Sequence, residues 1–109
     1  MKQVKAFIHR ARVSDVLHAL EDAGFKQVSL FDVKALFHAM DARERVYSVA
    51  FGDQVSAEVQ MELFCEDPDV TRAVDTFRTV GRTGQADAGR VYVSAVESAW
   101  VIDGEAKGS

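Results

Sequence analysis

The chain has 109 residues, enough for one domain and too few for two that fold independently. Hydrophobic residues supply 48% and charged residues 28%, so a core can be buried, while 13 basic against 17 acidic residues give a net charge of −4, the wrong sign for non-specific nucleic-acid binding. A lone Cys65 excludes an internal disulfide framework and multi-cysteine zinc motifs, and no stretch approaches the ~20 apolar residues of a membrane span or the h-region of a signal peptide, so composition predicts a soluble, cytoplasmic protein with no membrane insertion and no nucleic-acid partner.

Lys2–His9 alternates, with Val4, Ala6 and Ile8 on one side and Lys5, Phe7 and His9 on the other, the period of a strand with two different faces. A helical period follows in Val13, Val16, Leu17, Leu20 and Ala23, with Ser14 and Asp15 in its first turn and Gly24 at its stop. A second strand is expected from about Lys26 to Ala35, with Val28, Leu30 and Asp32 opposed to Ser29, Phe31 and Val33. Residues 36–55 form a long excursion of unassigned conformation, with a charged cluster around Arg43 and Arg45, then Tyr47 and a Gly52-Asp53 turn. Alternation returns as Val59, Met61, Leu63 and Cys65 against Glu58, Gln60, Glu62, Phe64 and Glu66.

Asp67-Pro68 suits a helix start, because proline at the first helical position gives up no needed hydrogen bond. Val70, Ala73, Val74, Phe77 and Val80 then make an apolar helical stripe ending near Gly81. A glycine-containing turn, residues 82–90, leads into a last strand, Arg90–Glu97, and the chain ends in a frayed tail, residues 99–109, after a domain of residues 1–98. The order β-α-β-β-α-β predicts an α+β, ferredoxin-like fold: a four-stranded antiparallel sheet with two helices on one face. The other face carries Phe7, Phe31, Phe64 and Tyr92, too apolar to leave wholly in water, so self-association is expected.

The loop Thr83-Gly84-Gln85-Ala86-Asp87-Ala88-Gly89-Arg90 could turn backbone N–H groups toward a phosphate, with Arg90 at its exit as a cation. The bland account is a helix-to-strand connection that needs glycine for its geometry, and Asp87 opposes an anion. His9, His18, His38 and Cys65 are competent metal ligands, but none pair at helical or strand spacing, so a shared site needs tertiary or inter-subunit contact. Cys65 reads as a small buried hydrophobe. Glu58, Glu62 and Glu66 share one strand face and read as solvated or interface-lining charge. No nucleophile-elbow or cysteine-protease context surrounds Ser14, Ser29 or Cys65, so no enzymatic activity is expected. An excursion of about twenty residues is unusual in a compact domain unless it is functional, which points to a partner-binding loop or a hairpin extension.

Met1-Lys2-Gln3-Val4-Lys5-Ala6-Phe7-Ile8, Ala19-Leu20-Glu21-Asp22-Ala23-Gly24 and Ser29-Leu30-Phe31-Asp32-Val33-Lys34 resemble the first half of a PII signal-transduction protein. Val59-Gln60-Met61-Glu62-Leu63 resembles its third strand, and Arg82 through Val93 its B-loop and last core strand. The resemblance implies a ferredoxin-like homotrimer that binds adenine nucleotides between subunits. It also implies that the excursion is a T-loop engaging a transporter or an enzyme. The implied nucleotide site is Ser29, Glu62, Phe64, Thr83, Gly84, Gly89 and Arg90, and the implied partner loop carries Arg43, Arg45 and Tyr47.

Val101, Asp103 and His38 stand where the family has arginines that neutralise a triphosphate, which favours AMP or ADP, or no nucleotide, over tightly held ATP. Glu58 and Ala39 replace residues that hold 2-oxoglutarate, so no sensing of that acid is expected, and Phe51 replaces the modified tyrosine. Ala6-Phe7-Ile8-His9-Arg10 and Glu62-Leu63-Phe64-Cys65-Glu66-Asp67 resemble a divergent branch encoded beside heavy-metal efflux systems. That gives His9 and His38 interest as metal ligands. The alternative from another class is a trimeric CutA-like metal-binding protein in metal-ion homeostasis.

Overall fold

The computed structural model describes residues 1–32, 58–85 and 88–104. Strand β1 (Lys2–His9) leads through a 3-10 turn, Arg10–Arg12, into helix α1 (Val13–Asp22). Then come strand β2 (Ser29–Asp32), strand β3 (Glu58–Cys65), a 3-10 turn at Asp67–Asp69, helix α2 (Val70–Val80) and strand β4 (Arg90–Ala95). The sheet order is β2-β3-β1-β4 with every pair antiparallel, the α+β, ferredoxin-like arrangement that the alternation of periods predicts.

Both helices lie on one face. Val4, Ala6 and Ile8 of β1 and Val59, Met61, Leu63 and Cys65 of β3 are buried against Val16 and Leu20 of α1 and Ala73 and Phe77 of α2. These are the two alternating sets and the two helical stripes read from the sequence. The core also takes in Phe25, which neither period marks, and the edges differ. Leu30 and Val93 point to the helix side by register, opposite Met61 and Val4, yet each is 46% exposed, because the helices do not reach over the outer strands.

Helix α1 closes with two reverse hydrogen bonds, Gly24 N–H to the Glu21 carbonyl at 3.0 Å and Phe25 N–H to the Leu20 carbonyl at 2.9 Å. Gly24 takes φ +98°, which a side chain disfavours, and Phe25 drops into the core beside Leu20. The chain therefore spends residues 25–28 travelling from helix to sheet, and β2 starts at Ser29 rather than the expected Lys26. At the other end, β4 stops at Ala95, short of Glu97, because Ala95 is opposite Lys2 and β1 has no strand residue beyond it. Asp67-Pro68 does open the 3-10 turn that leads into α2.

Two arginines tie the segments together. Arg10 grips the Asp32 carboxylate with both terminal nitrogens, at 2.7 and 2.8 Å. Arg12 donates from Nε and Nη2 to the Val80 carbonyl at 3.0 and 2.8 Å, satisfying an orphan acceptor at the end of α2 and fixing where the following loop departs. The excursion at 36–55, with Arg43, Arg45, Tyr47 and His38, lies outside the described residues, as do Asp87 and the last five residues. Among the described residues no helix is long and apolar enough to cross a membrane.

Candidate functional site

The helix-free face of the sheet holds the first group of candidate residues. Phe31 is 49% exposed, and Phe64 and Tyr92 are each 54% exposed, while Phe7 meets Tyr92 edge-on with ring centroids 6.1 Å apart. Ser29 lies directly opposite Glu62 across β2 and β3, and Phe64 follows two residues along the same face. Glu62 is not an isolated charge. Gln3 Nε2 donates to its carboxylate at 2.9 Å, and the Gln3 carbonyl accepts from the Ser94 hydroxyl at 3.2 Å, so a polar line crosses β4, β1 and β3 among the aromatic rings. This arrangement leaves an apolar ring, an oriented carboxylate acceptor and a hydroxyl within one short stretch of surface, a set suited to the flat face and donor edge of a heterocycle.

A second group gathers where α2 ends and β4 begins. Thr83 Oγ1 accepts from the Gln85 N–H at 3.3 Å, a local turn that shapes the loop. Gly84 and Gly89 have φ of +86° and +79°. At Gly89 space is limiting too, since a Cβ would stand 2.9 Å from the Phe7 carbonyl oxygen. Arg90 lies opposite Phe7 in the register, and its guanidinium donates to the Gly89 carbonyl at 2.7 Å. Beside this loop, on the helix side, is a cleft of about 330 Å³ with Arg78, Arg82 and Arg90 around a floor of Ile8, Val74 and Val91.

Ser29, Glu62 and Phe64 are thus brought together, and so are Thr83, Gly84, Gly89 and Arg90, but the two groups do not meet. β1 separates β3 from β4, and Arg90 is also two residues along from the position level with Glu62, which puts the backbones about 12 Å apart. In one chain they are two separate groups.

The metal candidates are scattered. His9 Nδ1 accepts the Ala11 N–H at 3.1 Å and so caps the 3-10 turn, and His18 is exposed on α1. Among the described residues, no three His, Cys, Asp or Glu side chains gather to hold a metal ion. Cys65 is buried, as expected of a small hydrophobe, and burial pushes its thiol above the ordinary value, with the nearby Asp69 charge adding to the shift. The sequence reading missed Gln3 and Arg78. Nothing local marks Gln3. Arg78 lies in the last turn of α2 and Arg82 just past its end, so no helical period marks the two as neighbours.

The model of the family described as nitrogen regulatory protein P-II matches residues 1–106. The chain belongs to the nitrogen regulatory P-II family. Curated relatives agree with this. Nitrogen regulatory protein P-II 1 of Methanothermobacter thermautotrophicus is 29% identical over 96 residues, 88% of this chain and 84% of that one. The P-II proteins of Bradyrhizobium diazoefficiens and Nostoc punctiforme are 25% and 26% identical, covering 91% and 89% of this chain and 88% and 87% of theirs. P-II proteins are signal-transduction regulators, and this chain is accordingly a regulator and not an enzyme. The P-II match spans the sheet, both helices and the loop into β4, and so takes in both groups of candidate residues.

Proposed function

We propose that the protein is a homotrimeric P-II regulator that binds AMP or ADP in clefts between subunits and signals to a protein partner, a membrane transporter, through residues 36–55. The observation that carries this reading is the pair of half-sites flanking an uncovered aromatic face. A large apolar surface bordered by polar groups is a self-association surface. Closing copies over it would bring Ser29, Glu62 and Phe64 of one subunit toward Thr83, Gly84, Gly89 and Arg90 of the next. The first set would hold the adenine and the second the phosphates. Val101 is exposed and apolar and Asp103 is acidic, so neither of these two positions offers a cation to a third phosphate, which supports AMP and ADP over ATP. In the excursion, Arg43, Arg45 and Tyr47 supply charge and an aromatic for the partner. The CutA-like alternative has no comparable support, because His9 serves as a cap.

Thermal unfolding with each nucleotide tests the proposal. A ligand at 100 times its Kd stabilises the folded state by about 2.7 kcal/mol. AMP and ADP at millimolar concentration are expected to raise the midpoint more than ATP does, and Arg90→Ala is expected to abolish the shift. No shift with any adenine nucleotide overturns the reading.

A further inference from the structure

We infer that Gln3 is a positioning residue that sets the base preference of the nucleotide site, by occupying one oxygen of the Glu62 carboxylate and leaving the other to the ligand. The inference rests on the adenine reading proposed above and extends it to which base that surface accepts. Gln3, on β1, reaches across to β3, where its Nε2 donates to Glu62 Oε2 at 2.9 Å, and its carbonyl accepts from the Ser94 hydroxyl on β4 at 3.2 Å. An ionised carboxylate has no proton to give. The amide nitrogen is therefore the end that faces Glu62, the carbonyl end faces Ser94, and the hydroxyl is the donor. Anchors on two different strands thus fix the amide. Lys5 stands opposite Glu62 in the register, yet among the described residues no ion pair joins them, so the contact that orients the carboxylate is the one from Gln3.

Glu62 Oε2 is drawn toward β1, and among the described residues Oε1 accepts from no donor. Ser29 lies on the other side of Glu62, on β2, and Phe64 two residues along β3, so the unspent oxygen belongs to the stretch of surface assigned to the base. A single acceptor suits adenine, whose hydrogen-bonding edge has one amino donor beside a ring nitrogen that only accepts. Guanine puts a carbonyl where adenine has its amine, and that oxygen repels a carboxylate. Its own donors, a ring N–H and the adjacent amino group, form a pair that a carboxylate meets with both oxygens at once, as it meets the fork of a guanidinium. Gln3 holds one of those oxygens away. With Gln3 in place the carboxylate is matched to adenine, and without it the same carboxylate is matched to guanine.

Calorimetric titration of the full chain with ADP and with GDP tests this. The parent is expected to bind ADP more tightly than GDP. Gln3→Met keeps the length of the side chain and removes the amide. In this variant the ratio of ADP to GDP affinity is expected to fall about 10-fold, with ADP binding weakened and GDP binding strengthened. Gln3→Lys, which returns a donor of similar reach, is expected to restore most of the ratio. Ser94→Ala removes the amide's second anchor at an exposed position and is expected to shift the ratio in the same direction, so it decides the question if Gln3→Met does not assemble.

A purely structural role for Gln3 would weaken both nucleotides alike. An unchanged ratio in these variants, or a parent that binds ADP with no preference over GDP, overturns the inference and leaves the adenine reading standing. A parent that binds no ADP overturns that reading and this inference with it, so the two failures are distinguishable.

Discussion

At Gly89 conformation and space demand the same residue. Its φ is +79°, and a Cβ would press to 2.9 Å from the Phe7 carbonyl, whereas Gly24, at φ +98°, has nothing within 4 Å of a Cβ. Gly24→Ala is therefore expected to cost about 1–2 kcal/mol for the left-handed backbone alone. Gly89→Ala carries that cost plus a clash with β1, and urea unfolding of the two variants should rank it as the more damaging. Cys65 gives a pH prediction. Its thiol is held above the ordinary value chiefly by burial, so the folded state keeps a proton that the unfolded chain loses. Stability is then expected to fall as pH rises past the ordinary thiol range, and Cys65→Ala should flatten that alkaline decline in urea midpoints. The native thiol should also react far more slowly with a thiol reagent than the unfolded one.

Among the elements, α2 matters most to the site, because its end launches the loop. Phe77 is fully buried, and its N-terminal neighbour on the stripe, Ala73, is too, so the helix is anchored by its middle and Arg12 holds its last carbonyl. Phe77→Ala should lose about 3–5 kcal/mol by transfer and cavity terms, which calorimetry would register as a large drop in midpoint. The Arg10–Asp32 pair is a smaller matter. Both side chains are about a third exposed, and despite the bidentate geometry Arg10→Ala is expected to cost no more than about 1 kcal/mol, less in high salt. Among the described residues β2 is an edge strand of four residues paired with β3 alone, and Asp32, tied to Arg10, is its last residue.

For the whole molecule, the uncovered sheet face is the dominant feature. Phe31, Phe64 and Tyr92 stand half-exposed around the Gln3–Glu62 hydrogen bond, a mixture that an interface with apolar area and a few oriented polar groups would bury well. Phe64→Glu places a charge at the centre of that surface without touching the helix-side core. Light scattering is expected to report a trimer for the parent and a monomer for this variant, with helical circular dichroism unchanged. A monomeric parent with an unchanged variant would remove the inter-subunit clefts and the nucleotide reading with them.

The strand and helix periods are local properties, and they carried most of the fold. Val4, Ala6 and Ile8, or Val59 through Cys65, declare a buried side by alternation alone, and Val70 through Val80 by helical spacing, because a side chain's direction depends on its own backbone. The aromatic face was readable for the same reason. Contacts between distant segments were not. Gln3 reaches Glu62 across 59 residues of chain, and Arg12 reaches Val80 across 68, and no local pattern encodes which backbone atom lies at the end of a long side chain. Sequence by itself determined the elements, the core and the family membership. Only the tertiary structure decided that the candidate residues divide into two separate groups and that Arg78, Arg82 and Arg90 line one cleft, since strand order and helix docking, not periodicity, set those distances.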